Sequence, residues 1–251
     1  MDLSNTLRAL TEVGATDYNF HHTDATGFPR ALPPARKIGL GRRALAGVLP
    51  SQKQAGPEAA RFESSLERDF YLLLEFDLKV TRWEPQPLRI DVGDGHPSYV
   101  PDVLVTFYDY DVHPGREYKV LYEVKQRAEL RDNWAKWKAR FRAARRFARA
   151  NGWAFRIVTD REIRSGGLLW NAKFLLPYGH DEVNGGIQEL LVKTLRYLGP
   201  TTPEKLVAHL ASDPWERAGL VASVWALVAS RHFLCDLSER VTMHSEIYCH
   251  D

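Results

Sequence analysis

Three residues in two neighbouring apolar segments have the types and the spacing that hydrolysis of a phosphodiester requires. Asp102 follows Pro101 in one segment, and Glu123 and Lys125 flank Val124 in the next. Side chains alternate between the two faces of a strand, so Glu123 and Lys125 must project together while Val124 points the other way. If the two segments pair as a hairpin, Asp102 meets both. The sequence therefore predicts a site with two carboxylates and one ammonium group.

Metal-dependent hydrolysis of a phosphodiester needs a hard divalent cation held by oxygen ligands, an activated water, and neutralisation of the charge that builds on phosphorus. We expect Asp102, Glu123 and the backbone carbonyl of Val124 to hold Mg²⁺, and we expect Mn²⁺ to substitute for it. Glu67, on a preceding helix, would complete or bridge the site. Lys125 would face the attacked phosphate, orient or help deprotonate the water, and offset negative charge in the transition state.

Each of these residues alone has an ordinary structural explanation. An Asp after Pro often begins a turn or a strand, and a Glu two residues before a Lys on a strand is usually a solvated cross-strand pair. The functional interpretation rests on their conjunction within runs of Val, Leu, Tyr and Phe, where a buried carboxylate costs several kcal/mol unless a cation pairs with it. Glu63 lies one helical turn before Glu67, so the choice of helical carboxylate stays open between them.

The elements that must position these residues follow from apolar periodicity. Ser64 and Ser65 can cap a helix whose apolar face includes Leu66, Phe70 and Leu74. A second helix is predicted from a cap at Asp132 to the Asn151-Gly152 pair. The strand-like segments are 80–84, 88–92, 99–108, 118–126 and 154–159. The order of helices and strands predicts an α/β domain with a mixed sheet flanked by helices.

Beyond Asn171 the pattern changes to helical stripes over 187–198 and 220–228, with another helix capped by Thr202. Segments 233–237 and 241–248 could form a terminal hairpin. Three helices followed by a hairpin predict a small, mainly helical winged-helix domain.

Composition sets limits on the class of protein. The 34 Lys and Arg residues nearly balance the 32 Asp and Glu residues, which leaves a net charge of +2, so a basic binding surface must come from local clustering. The start of the chain lacks the pattern of a secretory signal, and its longest apolar stretch is shorter than a membrane span. We therefore expect no membrane contact and a cytoplasmic location at the bacterial nucleoid, where the two cysteines would be free thiols.

Two segments are strongly basic and contain no acidic residue. One is an irregular arm over 28–57, and the other is the predicted helix over 136–149. Phosphate neutralisation supplies most sequence-independent affinity for DNA, so we expect both segments to contact the DNA backbone. The candidate DNA-binding residues are Arg36, Lys37, Arg42 and Arg43 in the arm and Lys136, Lys138, Arg142, Arg145, Arg146 and Arg149 in the helix. Trp134 and Trp137 lie on the apolar stripe of this helix and are expected in the core.

Pro101-Asp102 and Glu123-Val124-Lys125, preceded by a helix that carries Glu67, resemble the PD-(D/E)XK nuclease superfamily, whose restriction-endonuclease-like fold has a mixed sheet flanked by helices. Within that superfamily, the chain is similar to the TnsA endonucleases of heteromeric bacterial transposons. The parts that carry this similarity are the stretch Ser64-Ser65-Leu66-Glu67-Arg68-Asp69-Phe70, the stretch Thr159-Asp160-Arg161-Glu162-Ile163 and the helical tail.

The TnsA resemblance implies a Mg²⁺-dependent cut in double-stranded DNA, on the non-transferred strand at the 5′ ends of the transposon. The transposase TnsB would cut the 3′ ends, and the tail domain would contact the ATPase regulator TnsC. The active-site carboxylates of the family map onto Glu67, Asp102 and Glu123, with Lys125 as the lysine. TnsA relatives can have Gln at the position of Glu123, and Glu is the more conventional metal ligand.

The sequence thus predicts three parts: a basic arm over 1–57, a PD-(D/E)XK nuclease domain over 58–168, and a winged-helix-like partner-binding domain over 169–251. Two other functions stay open. One is a restriction or repair nuclease that cuts without a transposase. The other is a catalytically inactive DNA-binding scaffold that recruits an ATPase.

Overall fold

A computed structural model of the protein describes residues 47–55, 60–93, 95–109, 115–180 and 182–250. The chain divides into two compact units, with the division between Arg164 and Ser165. The arm residues Arg36, Lys37, Arg42 and Arg43 lie outside the described part of the chain. The three domain boundaries given above stay predictions.

The first unit is built around a four-stranded mixed sheet. Its strands are β3 (Val80–Pro85), β4 (Val103–Asp109), β5 (Arg116–Lys125) and β6 (Ala154–Thr159), in that spatial order. The pairs β3–β4 and β4–β5 are antiparallel, and β5 pairs with β6 in parallel. Since β5 has a neighbour on each side, its second half, Val120 to Val124, is buried. This central strand ends at the predicted site, and the mixed sheet predicted from the sequence is confirmed.

Helix α1 (Ser65–Phe76) covers one face of this sheet. Its N-cap is Ser64, whose hydroxyl accepts the N–H of Glu67 at 3.1 Å. The ring of Phe70 lies 5.2 Å from that of Tyr122 on β5. A short antiparallel pair, β1 (Gly47–Leu49) and β2 (Ala60–Phe62), precedes the helix. The helix predicted from Ser64 and Ser65 is confirmed.

The other face is covered by α3 (Trp134–Ala150), which follows the short helix α2 (Arg127–Asp132). The buried alanines Ala143, Ala144 and Ala148 let α3 lie close to the sheet. The core on this side consists of Ile90, Val92, Tyr99, Leu104, Leu121, Ala143, Ala144 and Ala148. Helix α4 (Asp160–Arg164) ends the unit, and its Arg164 pairs with the buried Asp69 at 2.8 Å.

The second unit is mainly helical. Its elements are α5 (Leu168–Leu175), a 3₁₀ turn (Leu176–His180), α6 (Gly185–Leu198), α7 (Pro203–Leu210), α8 (Pro214–Ala229), and the strands β7 (Phe233–Leu234) and β8 (Tyr248–Cys249). The fully buried Asn171 donates to the carbonyls of Leu237 and Glu239 and accepts the N–H of Val241, so one amide fixes the loop between the strands.

Several predicted boundaries are wrong. One helix was predicted to begin after a cap at Asp132. Instead, Asp132 is the last residue of α2, and Asn133 separates it from α3, so two helices stand where one start was predicted. Segment 88–92 forms only a bridge between Ile90 and Tyr99. In the tail, Phe233 pairs with Cys249 across a long loop, instead of a tight turn at 238–240. The three predicted tail helices and an antiparallel pair are present, and the winged-helix assignment stays a prediction.

No helix in the described ranges is both long and apolar enough to cross a membrane.

Candidate active site

The site begins where the β4–β5 ladder ends. The last backbone pair of the ladder is Val103 with Tyr122. Pro101 has no N–H to donate to the Val124 carbonyl, so the ladder does not continue there. The N–H of Val124, which points toward β4, is accepted by the side-chain Oδ2 of Asp102 at 2.7 Å. The Pro-Asp pair therefore stops one ladder and places a carboxylate against the backbone of the neighbouring strand.

The ammonium group of Lys125 lies among three oxygens. Its Nζ is 3.0 Å from Oε1 of Glu123, 3.4 Å from Oδ2 of Asp102 and 3.0 Å from the carbonyl oxygen of Val124. The predicted projection of Glu123 and Lys125 to one side of β5 is thus what the structure has. Asp102 joins them from the neighbouring strand, as the hairpin argument predicts.

Glu123 is 2% exposed and is surrounded by donors and charges. The hydroxyl of Tyr99 donates to its Oε2, and Nη2 of Arg140 lies 3.6 Å from its Oε1. Burial and the charge of Asp102 raise the pKa of Glu123 to about 7, against the opposing effect of Lys125. Burial alone would lower the pKa of Lys125, but the carboxylates of Asp102 and Glu123 raise it above its ordinary value. The lysine is therefore charged at neutral pH.

The oxygens around the Lys125 ammonium group are of the kinds that bind a metal ion. A single cationic nitrogen sits within 3.4 Å of one oxygen each from Asp102, Glu123 and Val124. These are the three atoms that the sequence assigns as ligands, and carboxylate and carbonyl oxygens are the donors that Mg²⁺ accepts. Among the described residues, no three His, Cys, Asp or Glu side chains form a group that could hold a metal ion. The oxygens available to a metal ion at this position are therefore those of two carboxylates and one carbonyl.

Glu67 has a different surrounding. Its Oε1 accepts the hydroxyl of Ser64 at 3.1 Å, and its Oε2 accepts the N–H of Glu63 at 2.9 Å, so it completes a capping box at the start of α1. Helix α1 packs on the face of β5 that carries Tyr122, opposite to Glu123. Burial, followed by the charge of Asp102, raises the pKa of Glu67. The charge of Asp102 therefore acts on both Glu67 and Glu123, and Glu67 stays a predicted ligand.

The basic side chains predicted to bind DNA lie outward on α3. The exposed residues are Lys136, Lys138, Arg142, Arg145, Arg146 and Arg149. Trp137 is buried, as predicted, whereas Trp134 is half exposed, because it occupies the first turn of the helix where the packed stripe has only begun. The direction of these charges is compatible with phosphate binding, which stays a prediction.

Sequence reasoning did not assign Tyr99 or Arg140 to the site. Tyr99 was only the start of a strand-like run, and Arg140 was one of seven basic residues on a helix. A signal was available for Arg140, because it falls one residue before the buried Phe141 on the apolar side of the helix. No comparable signal distinguishes Tyr99, whose role depends on the Ile90 bridge that brings it beneath β5.

In this mixed sheet, Glu123 and Lys125 at the end of β5 meet Asp102, which directly precedes β4. Residues 77–160 match a protein-family model described as TnsA-like endonuclease N terminal. Over this segment the chain is therefore similar to the TnsA-like endonucleases, and the resemblance inferred from its residues is confirmed there. The match includes Asp102, Glu123, Lys125 and α3, and it leaves Glu67 outside. No curated protein matches the chain.

Proposed function

We propose that the protein is a Mg²⁺-dependent DNA endonuclease subunit of a heteromeric cut-and-paste transposase, which hydrolyses the non-transferred strand at the 5′ ends of the transposon. The observation that carries this proposal is the convergence of Asp102 Oδ2, Glu123 Oε1 and the Val124 carbonyl on one cationic nitrogen. The match of residues 77–160 to the TnsA-like endonucleases gives the class of reaction.

The three oxygens would hold Mg²⁺, or Mn²⁺ in its place. A bound divalent ion would lower the pKa of a water molecule and polarise the phosphate. The chain's own contribution is to hold the ligands in place: the Val124 N–H fixes Asp102, and the Tyr99 hydroxyl fixes Glu123. Glu67 would act from α1, through its proximity to Asp102, to complete the ligand set.

Lys125 would provide the positive charge that the reaction needs beside the phosphate. The Lys125 side chain is protonated at neutral pH, because the carboxylates of Asp102 and Glu123 stabilise its positive charge. It lies on the same side of β5 as Glu123 and is 18% exposed. With a divalent ion held by the oxygens that Lys125 now contacts, the ammonium group would orient water or offset charge on the phosphate oxygens.

The DNA would lie along the exposed basic side of α3. The side chains there can neutralise phosphates without reading bases, so sequence choice would come from partners. The partners proposed are double-stranded transposon ends, the transposase TnsB, and the ATPase regulator TnsC. TnsC would bind the second unit, whose last three helices and antiparallel pair we interpret as a winged-helix-like domain.

Reconstitution on a plasmid that carries transposon ends tests the proposal. The chain would be combined with the products of its neighbouring genes, singly and together, in the presence of Mg²⁺. We expect 5′-end cuts with the native protein and none with Asp102→Asn or Lys125→Gln. The control variant Asp132→Asn should cut normally. It removes a carboxylate at the end of α2 whose side chain is 61% exposed.

Two results would contradict the proposal in different ways. Cutting of DNA by the chain alone, independent of any transposase, would indicate a restriction or repair nuclease. Normal 5′-end cutting by either site variant would show that Asp102 and Lys125 do not perform the reaction.

One observation favours a second candidate, a DNA-binding scaffold without catalysis. Both carboxylate oxygens of Glu67 are used by the N-terminal cap of α1, so the helix accounts for this residue without a metal. The scaffold would recruit the ATPase while another subunit cuts. Carboxylate-dependent binding of Mg²⁺ separates the two functions, because a scaffold has no need of it.

A further inference from the structure

Arg140 extends from the basic helix α3 into the cluster around Glu123. Its guanidinium carbon lies 4.6 Å from the centre of the Trp137 ring, 5.2 Å from that of Phe141 and 5.5 Å from that of Tyr99. Its Nη2 lies 3.6 Å from Oε1 of Glu123. Three aromatic rings and a carboxylate therefore hold a planar cation in one position at the edge of the candidate active site.

Most of the hydrogen-bonding capacity of this guanidinium is unused by the protein. An arginine carries five N–H donors in a fixed plane. Within the described part of the chain, Glu123 is the polar partner found for Arg140, and its Nε is buried without a hydrogen bond. The side chain is still 29% exposed. A cation that is rigid, partly accessible and short of acceptors is suited to an anionic oxygen ligand.

Charge balance points to the same kind of ligand. The carboxylates of Asp102 and Glu123 balance the cations of Lys125 and Arg140. A divalent ion among the same oxygens adds two positive charges, of which the proposed ligand Glu67 would offset one. Each phosphate of a DNA strand carries one negative charge, so one phosphate at this position restores the balance.

We propose that Arg140 binds a phosphate of the cleaved DNA strand while its Nη2 keeps contact with Glu123, and so connects the DNA-binding helix to the metal site. This inference rests on the proposed nuclease function and deepens it. It differs from the role of the outward residues of α3, because Arg140 alone among the basic residues of this helix has an ion pair with a candidate metal ligand.

The proposal predicts opposite effects on two binding reactions. Arg140→Met keeps an unbranched apolar side chain between the rings but removes the charge. Loss of a positive charge beside Glu123 should strengthen the binding of a divalent cation, whereas loss of the phosphate donor should weaken the binding of DNA. A variant that merely disturbed the structure would weaken both.

The experiment uses the full chain and needs no catalysis. Mn²⁺ binding is measured by electron paramagnetic resonance without DNA, and binding of a short duplex of arbitrary sequence is measured with and without Ca²⁺. For Arg140→Met we expect Mn²⁺ to bind about 3- to 10-fold more tightly and DNA with Ca²⁺ to bind about 10-fold more weakly. Arg140→Lys should keep the native Mn²⁺ affinity and part of the DNA affinity. Arg131→Met, on α2, should change neither.

Unchanged or weaker Mn²⁺ binding by Arg140→Met, or unchanged DNA binding, overturns the role of Arg140. Equal behaviour of the Lys and Met variants also overturns it, since charge would then be irrelevant. Failure of the native protein to bind Mn²⁺ at all refutes the metal site itself, and the inference about Arg140 with it. Thermal melting of each variant identifies any that has lost its fold, and the Lys variant then decides.

Discussion

Oδ2 of Asp102 accepts the backbone N–H of Val124 at 2.7 Å, just beyond the last backbone pair between β4 and β5. The same oxygen lies 3.4 Å from Nζ of Lys125. One carboxylate oxygen therefore has two roles, because it accepts the N–H of Val124 where the β4–β5 ladder ends and it contributes negative charge to the cation position.

These two roles can be separated by substitution. Asp102→Asn keeps an oxygen that can accept the Val124 N–H, so the free energy of unfolding should change little while cation binding and cleavage are lost. Asp102→Ala leaves the N–H without its partner and should cost about 1–3 kcal/mol of stability as well. Urea unfolding and Mn²⁺ binding, measured on both variants, check this. Equal stability of the two would contradict the structural role of the carboxylate.

Glu67 allows a similar separation of stability from function. Glu67→Gln can still accept the N–H of Glu63 and should preserve the cap of α1, while Ser64→Ala should destabilise the protein by about 1 kcal/mol. If Glu67 is a metal ligand, the Gln variant loses cleavage without loss of stability. Ser64→Ala then keeps cleavage at temperatures where it is folded. Full cleavage by Glu67→Gln would show that the Glu67 carboxylate only caps α1. Glu63 would then be the candidate for the helical metal ligand.

Metal binding should depend on pH through Glu123. Burial and the charge of Asp102 raise the pKa of this carboxyl to about 7, so it carries a proton below that pH and is ionised above it. A divalent ion requires the ionised form. Affinity for Mg²⁺ should therefore rise with pH up to about 7 and then level off, with release of about one proton per ion near pH 6.

Calorimetry in buffers of different ionisation enthalpy measures this proton release. Glu123→Gln, which cannot ionise, should show weak binding without proton release. Binding of equal strength at pH 6 and pH 8, with no proton released, would contradict the assignment of Glu123 as a ligand.

The basic side of α3 should determine the salt dependence of DNA binding. Each phosphate contact contributes about 0.9 to the slope of log affinity against log salt. Combined replacement of Arg142, Arg145 and Arg149 by Ala should therefore lower the slope by up to about 3 and weaken binding to any sequence. The single variants Arg142→Ala, on α3, and Arg131→Ala, on α2, each remove one positive charge, so the second is the control for the first. If the salt dependence of DNA binding has the same slope in both, the DNA does not lie along α3.

The sequence predicted the site best where alternation along a strand was sufficient. Glu123 and Lys125 must share a side of β5 at any position in the sheet, and pairing of the two segments as a hairpin brings Asp102 to them. These relationships are local, so they could be derived before the fold was known.

The sequence predicted less where a relationship depends on packing across the sheet. Tyr99 reaches Glu123 through the bridge with Ile90, and Arg140 does so because the alanines of α3 bring the helix close to β5. Likewise, the long loop before Tyr248 depends on the hydrogen bonds of Asn171 to Leu237, Glu239 and Val241, which no local propensity specifies.

The central claim is that Asp102, Glu123 and the carbonyl of Val124 together hold one divalent cation. Anomalous diffraction from crystals soaked in Mn²⁺ measures the position of that ion directly. We predict one strong peak within coordination distance of all three oxygens, with the ammonium group of Lys125 displaced from them, and no such peak in crystals of Asp102→Asn. A native crystal whose Lys125 still contacts these oxygens, with Mn²⁺ absent or bound only elsewhere, would contradict the account.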